Sequence, residues 1–265
     1  MTCNAANPKA SGPVNIWQET LPVRFGSIDR SDRLTLDAVF QLFQEAAISH
    51  AENLGVGRED MAKTGQVWIL SRISVQVDRR PNYGETVTVR TWPRGGEKLF
   101  AVRDFDIRDS SDIPVIYARS AWVIVDIEKH RPLRPQSLMN NLPQNEGLDA
   151  MTALPAGLAE RGNLQKTAEK KALYTDIDFN GHVNNVRYIE WIENALDPQL
   201  LEKADKMRFE INYMNEILSG ENIEILSAPF DAENSVRAFA FEGRKTESGS
   251  SAGGGQTAFR AELRL

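Results

Sequence analysis

Apolar residues at helical spacing open the first structured part of the chain. Leu36, Val39, Phe40, Phe43, Ala46, Ala47, His50 and Leu54 recur at three- and four-residue intervals, which predicts a helix stopped by Gly55, with His50 half-buried on it. A strand over Ile16–Phe25 precedes the helix, with Val23 and Phe25 on one face, and Gly26–Arg33 forms a polar turn. After the helix the period changes to two. Val67–Val77, Thr86–Trp92, Phe100–Arg108 and Ile116–Ile127 read as strands, divided by turn-forming runs such as Pro81-Asn82-Tyr83-Gly84. Periodicity fades over 135–163, and then the order returns. Leu173–Asp178 is a strand edge, Asn185–Leu196 a helix, and Met207–Asn215, Glu221–Ser227, Val236–Gly243 and Thr257–Leu265 are strands, with Ser248–Gly255 a flexible hairpin tip.

The recurrence holds in register. Ser27–Arg33 overlays Asp176–His182, with Asp29 on Asp178, and Gly84-Glu85 overlays Gly220-Glu221. The chain therefore reads as an α+β protein of two tandem repeats. Its expected divisions are a flexible leader (1–14), a first copy (15–136), a connecting segment (137–163) and a second copy (164–265). Fused copies would act as an internal pseudo-dimer, each burying the other's edge; a further homodimer stays open.

Composition narrows the functional classes. Of 265 residues, 41% are hydrophobic and 26% charged, as in an ordinary soluble globular protein. No apolar run approaches the roughly 18 residues that span a bilayer, and Met1–Pro13 has no apolar signal core, so a cytoplasmic location is expected. The single cysteine, Cys3, excludes an internal disulfide and a Cys-rich zinc site, and a catalytic thiol is not expected in such a leader. The three histidines, His50, His130 and His182, are too scattered for a metal-ligand pattern, so neither metal nor cofactor is expected. A net charge of −6 argues against nucleic acid and asks for a local basic patch if the partner is acidic.

Candidate chemistry concentrates in Thr175–Asn185. Asp178, Asn180 and His182 alternate, so an extended segment would project them to one side. A helix begins at once with Val186, Ile189 and Ile192, and Asn184 or Asn185 is its expected N-cap. Free amides at such a helix start suit a developing oxyanion. The first copy has Ser31 and Arg33 where the second has Asn180 and His182, and Arg80 where the second has Glu216. Only the aspartate survives. The second copy is thus the chemical one, and Asp29 and Arg33 are expected to form a structural ion pair.

Asp178-x-Asn180-x-His182-Val183-Asn184-Asn185, followed by an aromatic helix, resembles the catalytic segment of the acyl-acyl carrier protein thioesterases, which are hot-dog-fold enzymes. Gln44-Glu45-Ala46-Ala47-x-x-His50, Trp68–Arg72, Val77–Glu85, Thr91-Trp92 and Ala121-Trp122-Val123 extend the likeness over most of the chain. It implies two hot-dog repeats, each a curved antiparallel sheet around a central helix. Asp178, Asn180 and His182 would be catalytic, together with Glu216 through Asn212–Glu216. The partner would be acyl carrier protein bearing a fatty acyl chain. The first copy would house that chain, with Phe40, Phe43 and Ala47 near Trp68, and Arg72, Arg79, Arg80, Arg94, Lys98 and Arg103 are candidates for carrier docking. Family members often carry a cysteine just after the glutamate; here Ile217 stands there, which rules out a thiolate route.

No Gly-x-Ser-x-Gly elbow is present, so direct attack by water is expected. Glu216, with His182, would be the base, and Asn180 with the helix-start amides would hold the oxyanion. Asp178 would orient the network or act as base itself. The alternatives are an acyl-CoA thioesterase, a hot-dog dehydratase, or a non-catalytic acyl-binding scaffold.

Overall fold

A computed structural model describes residues 12–232, 237–246 and 255–265. Cys3, the start of the strand expected at Val236, and most of the hairpin tip at 248–254 lie outside the described residues. The first copy comprises β1 (Trp17–Pro22), α1 (Leu36–Asn53), α2 (Arg58–Lys63), β2 (Gln66–Val77), β3 (Thr86–Glu97), β4 (Phe100–Arg108) and β5 (Pro114–Asp126). A short β6 (Arg131–Leu133) and α3 (Gln136–Met139) lead into the connector. The second copy comprises β7 (Gln165–Lys171), α4 (Asn185–Asn194), α5 (Pro198–Lys203), β8 (Met207–Tyr213), β9 (Asn222–Pro229), β10 (Ala238–Thr246) and β11 (Thr257–Arg264).

The strands form one antiparallel sheet in the order β1-β3-β4-β5-β2-β8-β11-β10-β9-β7, with β6 beside β5. Each half of this order is the reverse of the other. The join is β2 on β8, where Val75 faces Phe209 and Ile73 faces Ile211. Each copy thereby satisfies the other's central strand edge, which would otherwise be a row of unpaired backbone groups. The helices α1 and α4 pack together and their apolar stripes share one core, in which Phe40 of α1 meets Phe209 of β8 edge-on at 5.7 Å.

Hydrogen bonding reproduces the repeat closely. Leu34 donates to the Pro81 carbonyl as Val183 does to that of Ile217, both at 2.8 Å. Thr35 to Ser27 is matched by Asn184 to Asp176, and Gly84 to Val23 by Gly220 to Ala172. The bridge Arg33–Asn82 corresponds to His182–Leu218. Gly84 and Gly220 both take a left-handed φ, at 78° and 85°.

Three expectations fail. Phe25 does not share a buried face with Val23: β1 ends at Pro22, Val23 turns inward, and Phe25 enters a 3-10 turn, 79% exposed. Leu173–Asp178 is not a strand. The edge strand is Gln165–Lys171, and Tyr174–Asp176 is a 3-10 turn. As the outermost strand β7 has one neighbour and little buried surface, so its sequence carries no apolar alternation. His50 is fully buried rather than half-buried. Its Nε2 lies 2.9 Å from the Val14 carbonyl and its Nδ1 3.1 Å from Arg103, which makes Nδ1 the acceptor and the ring neutral.

Candidate active site

The segment between Ile177 and Val183 is a closed turn, not an extended run. Asp178 and His182 are joined through their backbones at 2.8 Å, and Gly181 accommodates the reversal at φ 83°. The Asp178 carboxylate accepts the Asn180 amide proton at 2.8 Å, a local bond that favours the turn over a strand. The three polar side chains therefore do not line one side of a strand. Asn180 Nδ2 reaches the other oxygen of Asp178 at 3.4 Å.

His182 is carried to a different neighbour. The His182–Leu218 bridge and the Val183–Ile217 hydrogen bond lay this segment beside the exit from β8. There His182 Nε2 lies 3.0 Å from Glu216 Oε2. The side chains are 39% and 59% exposed, so water reaches both. The site is thus two linked pairs, Asp178 with Asn180 and His182 with Glu216. Asn184 is the N-cap of α4, and its side chain takes the Val186 amide at 2.9 Å. That amide is already engaged; the expectation that the helix start offers its amides holds only for what the cap leaves.

The first copy shows what the same backbone does without this chemistry. Asp29 accepts the Ser31 amide at 2.8 Å, as Asp178 accepts that of Asn180. Arg80, in the place of Glu216, pairs with Asp29 and donates to the Leu34 carbonyl at 2.8 Å and the Leu201 carbonyl at 3.0 Å. Arg33, in the place of His182, pairs with Asp205 at 2.6 Å and donates to the Glu202 carbonyl, while Arg30 pairs with Glu202. The expected Asp29–Arg33 ion pair is therefore replaced by Asp29–Arg80. Arg33 touches Asp29 through its amide, and its guanidinium points to the second copy. Burial would raise Asp29, but Arg80 and the amides of Arg33 and Ser31 hold it below the usual carboxylate value. Permanently charged guanidiniums cannot exchange protons near neutrality, so this copy of the site is sealed.

Three neighbours escaped the sequence reading. Glu193 of α4 is half-buried, and its two oxygens accept the Leu36 and Asp37 amides at 2.9 and 3.0 Å, so one copy caps the central helix of the other. Burial, then the Asp37 carboxylate, push it up to about 8 against those two bonds. Tyr188, also on α4, is buried below the site. Arg58, from α2 of the first copy, stacks over the Phe179 ring at 3.9 Å and so touches the turn itself. For Glu193 and Tyr188 the sequence signal was a charged or hydroxylated residue inside the apolar period of α4; Arg58 on α2 carried none.

The remaining candidates are spread out. Phe40, Phe43 and Ala47 lie in the main core, with Phe43 4.8 Å from Phe105. Trp68 packs instead on a second cluster of Val56, Met61, Ala101, Ile124, Met139 and Leu142, and its indole donates to the Val56 carbonyl at 3.0 Å. One docking candidate is internal, Arg80, buried as described; Arg103 is half-buried and donates to His50 and Thr91, with burial pulling it down to about 10. Arg94 is held by Asp149 at 2.8 Å and Arg79 by Glu85 at 2.9 Å; Arg72 stacks over Phe100 at 5.3 Å, and Lys98 is exposed. Among the described residues no group of His, Cys, Asp and Glu is arranged to hold a metal ion, and no helix is long and apolar enough to cross a membrane.

Residues 14–138 match the family described as acyl-ACP thioesterase N-terminal domain, and residues 160–261 its C-terminal domain. The chain is 27% identical over 226 residues to a chloroplastic palmitoyl-acyl carrier protein thioesterase of Cuphea hookeriana, covering 80% of this chain and 54% of that one. It thus spans about half the length of the curated relatives it matches. Among solved structures it is similar to an acyl-ACP thioesterase from Bacteroides thetaiotaomicron, with a TM-score of 0.76 and 25% identity over 94% of this chain and 97% of that one. It shares the fold of the 12:0-ACP thioesterase from Umbellularia californica, with a TM-score of 0.79 and 20% identity over 95% and 97% of the two chains.

Proposed function

Since the chain belongs to the acyl-ACP thioesterase family and has its hot-dog fold, we propose that it hydrolyses the thioester of acyl-acyl carrier protein, releasing free fatty acid and ending chain elongation. The observation that carries the reading is the His182–Glu216 contact at 3.0 Å, in the one copy that has not replaced both groups by arginine.

In this reaction Glu216, with His182 Nε2 3.0 Å away, accepts a proton from water as the water oxygen attacks the thioester carbonyl carbon. Asn180 orients or holds the resulting oxyanion, and Asp178 fixes Asn180. The C–S bond then breaks, the carboxylic acid leaves, and the proton is returned to the carrier's thiolate. Because the two pairs are separate, Asp178 acts on the orientation of Asn180 more directly than on the base. A thiol with a pKa near 8.5 leaves readily, so making the nucleophile is the harder task.

The copies divide the work. The second carries the catalysis, and the first houses the acyl chain, with Phe40, Phe43 and Ala47 along α1 and Trp68 at the second apolar cluster. The cytoplasm is the compartment that the sequence supports. Relatives act on chains as different as palmitoyl, oleoyl and 12:0, so length preference belongs to pocket residues that this family shape leaves free to vary. The test is release of free thiol from a panel of acyl-carrier and acyl-CoA thioesters. Faster release from carrier substrates supports the reading; cleavage of acyl-CoA alone would replace the partner, and cleavage of neither would sink it.

A further inference from the structure

The matched hydrogen bonds of the two copies place Tyr188 on Val39 and Tyr213 on Val77. Both valines are buried apolar residues. The catalytic copy has thus exchanged two aliphatic side chains for two phenols, one on α4 and one at the end of β8. They touch each other. Their rings meet edge to face at 5.4 Å and 87°, and Tyr188 also meets Phe259 at 5.3 Å and Trp191 at 5.6 Å.

Tyr213, on the strand that leads to Glu216, donates to the Asn185 carbonyl at 3.1 Å, in the first turn of α4. Tyr188, on the helix that follows His182, backs this bond through its ring contact with Tyr213. The hydroxyl tie and the ring contact therefore join the helix that follows His182 to the strand that leads to Glu216. The first copy has no use for such ties, because Arg80 binds Asp29 and three carbonyls directly.

We propose that Tyr213, backed by the Tyr188 ring, is a positioning residue for the reaction: its hydroxyl locks the first turn of α4 against the end of β8 and so sets the His182–Glu216 separation. The exposed side chains of His182 and Glu216 need such a frame, since an ångström of misplacement is enough to slow catalysis markedly. The inference rests on the thioesterase reading. Tyr213 acts through the backbone that carries the catalytic groups.

Tyr213→Phe keeps the ring and removes only the hydroxyl. It is expected to lower kcat about ten-fold with KM changed less than about two-fold. The pH profile of kcat/KM should shift in the variant while the thermal midpoint stays within a few degrees. The imidazole NMR resonances of His182 should also move in it, which reports the Glu216 contact without any turnover. Unchanged resonances, with kcat within two-fold of the parent, would overturn the positioning role. If the parent itself fails to hydrolyse acyl-carrier thioesters the enzymatic reading falls, and the His182 resonances still decide whether Tyr213 holds the pair.

Discussion

His182 and Arg33 occupy one position in two copies of the same turn, and their side chains go opposite ways. His182 meets Glu216 of its own copy at 3.0 Å, whereas Arg33 crosses to Asp205 of the other. The difference is set by the residue across the bridge: Glu216 offers a carboxylate, and Arg80 in its place repels a cation and takes Asp29 for itself. A histidine–carboxylate pair and an arginine ion-pair lattice are thus alternative fillings of one backbone frame.

A pair held 3.0 Å apart should behave as a unit. Glu216→Gln and His182→Ala are each expected to lower kcat/KM by about 10²–10⁴, and the double variant should be little worse than the poorer single one. Steady-state kinetics on one acyl-carrier substrate checks this. Losses that multiply would show that the two groups act in separate steps.

The repeat, the central helices and the polar turn of the second copy were legible in the sequence because each rests on a local pattern: a 3.6 period at Leu36–Leu54, Gly84 matched by Gly220, and Asp178 through His182 in one short run. What escaped depends on contacts across the chain. Gln165–Lys171 hides as a polar edge strand, since one neighbour and one wet face impose no alternation. Arg80 and Arg103 looked like surface arginines because nothing local marks a guanidinium whose partners are Asp29, His50 and Thr91. Glu193 falls within the apolar period of Val186 and Ile189, and only α1 placed against it shows what a carboxylate does there.

Glu193 should make stability fall as pH rises. Its ordinary value is 4.5 and the folded chain holds it at about 8. Between those values the folded state keeps a proton that the unfolded state has lost, so its contribution is complete below about 4.5 and gone above about 8. Thermal or urea unfolding from pH 5 to 8.5 should show a loss on the order of 1–3 kcal/mol that Glu193→Gln flattens. The same slope in the variant would assign it elsewhere.

His50 works with the opposite sign. Burial first, then Arg103, hold it down at about 4 against an ordinary 6.5. Acidification through that window protonates the unfolded chain before the folded one, so stability falls as pH drops from about 6.5 to 4, by on the order of 2–3 kcal/mol. Unfolding curves of His50→Gln should lose this acid-side slope while the parent keeps it.

Asp104 anchors the connector to the first copy. Its side chain is wholly buried, takes two bonds from Arg119 at 2.7 Å, and accepts the Ala150 amide at 2.9 Å. Asp104→Ala leaves the Arg119 charge without its main partner and should cost about 3–5 kcal/mol. Denaturant unfolding is the check, and a loss below about 1 kcal/mol would mean that Asp149 replaces it.

The most direct test of the central claim compares His182→Ala with Arg33→Ala, the same substitution at the same place in the two copies, by thiol release from one acyl-carrier thioester. The account predicts that His182→Ala loses at least about a hundred-fold in kcat/KM, while folded Arg33→Ala stays within about five-fold of the parent. Full activity in His182→Ala, or an equal collapse of both variants with the fold intact, would contradict the assignment of the chemistry to the second copy.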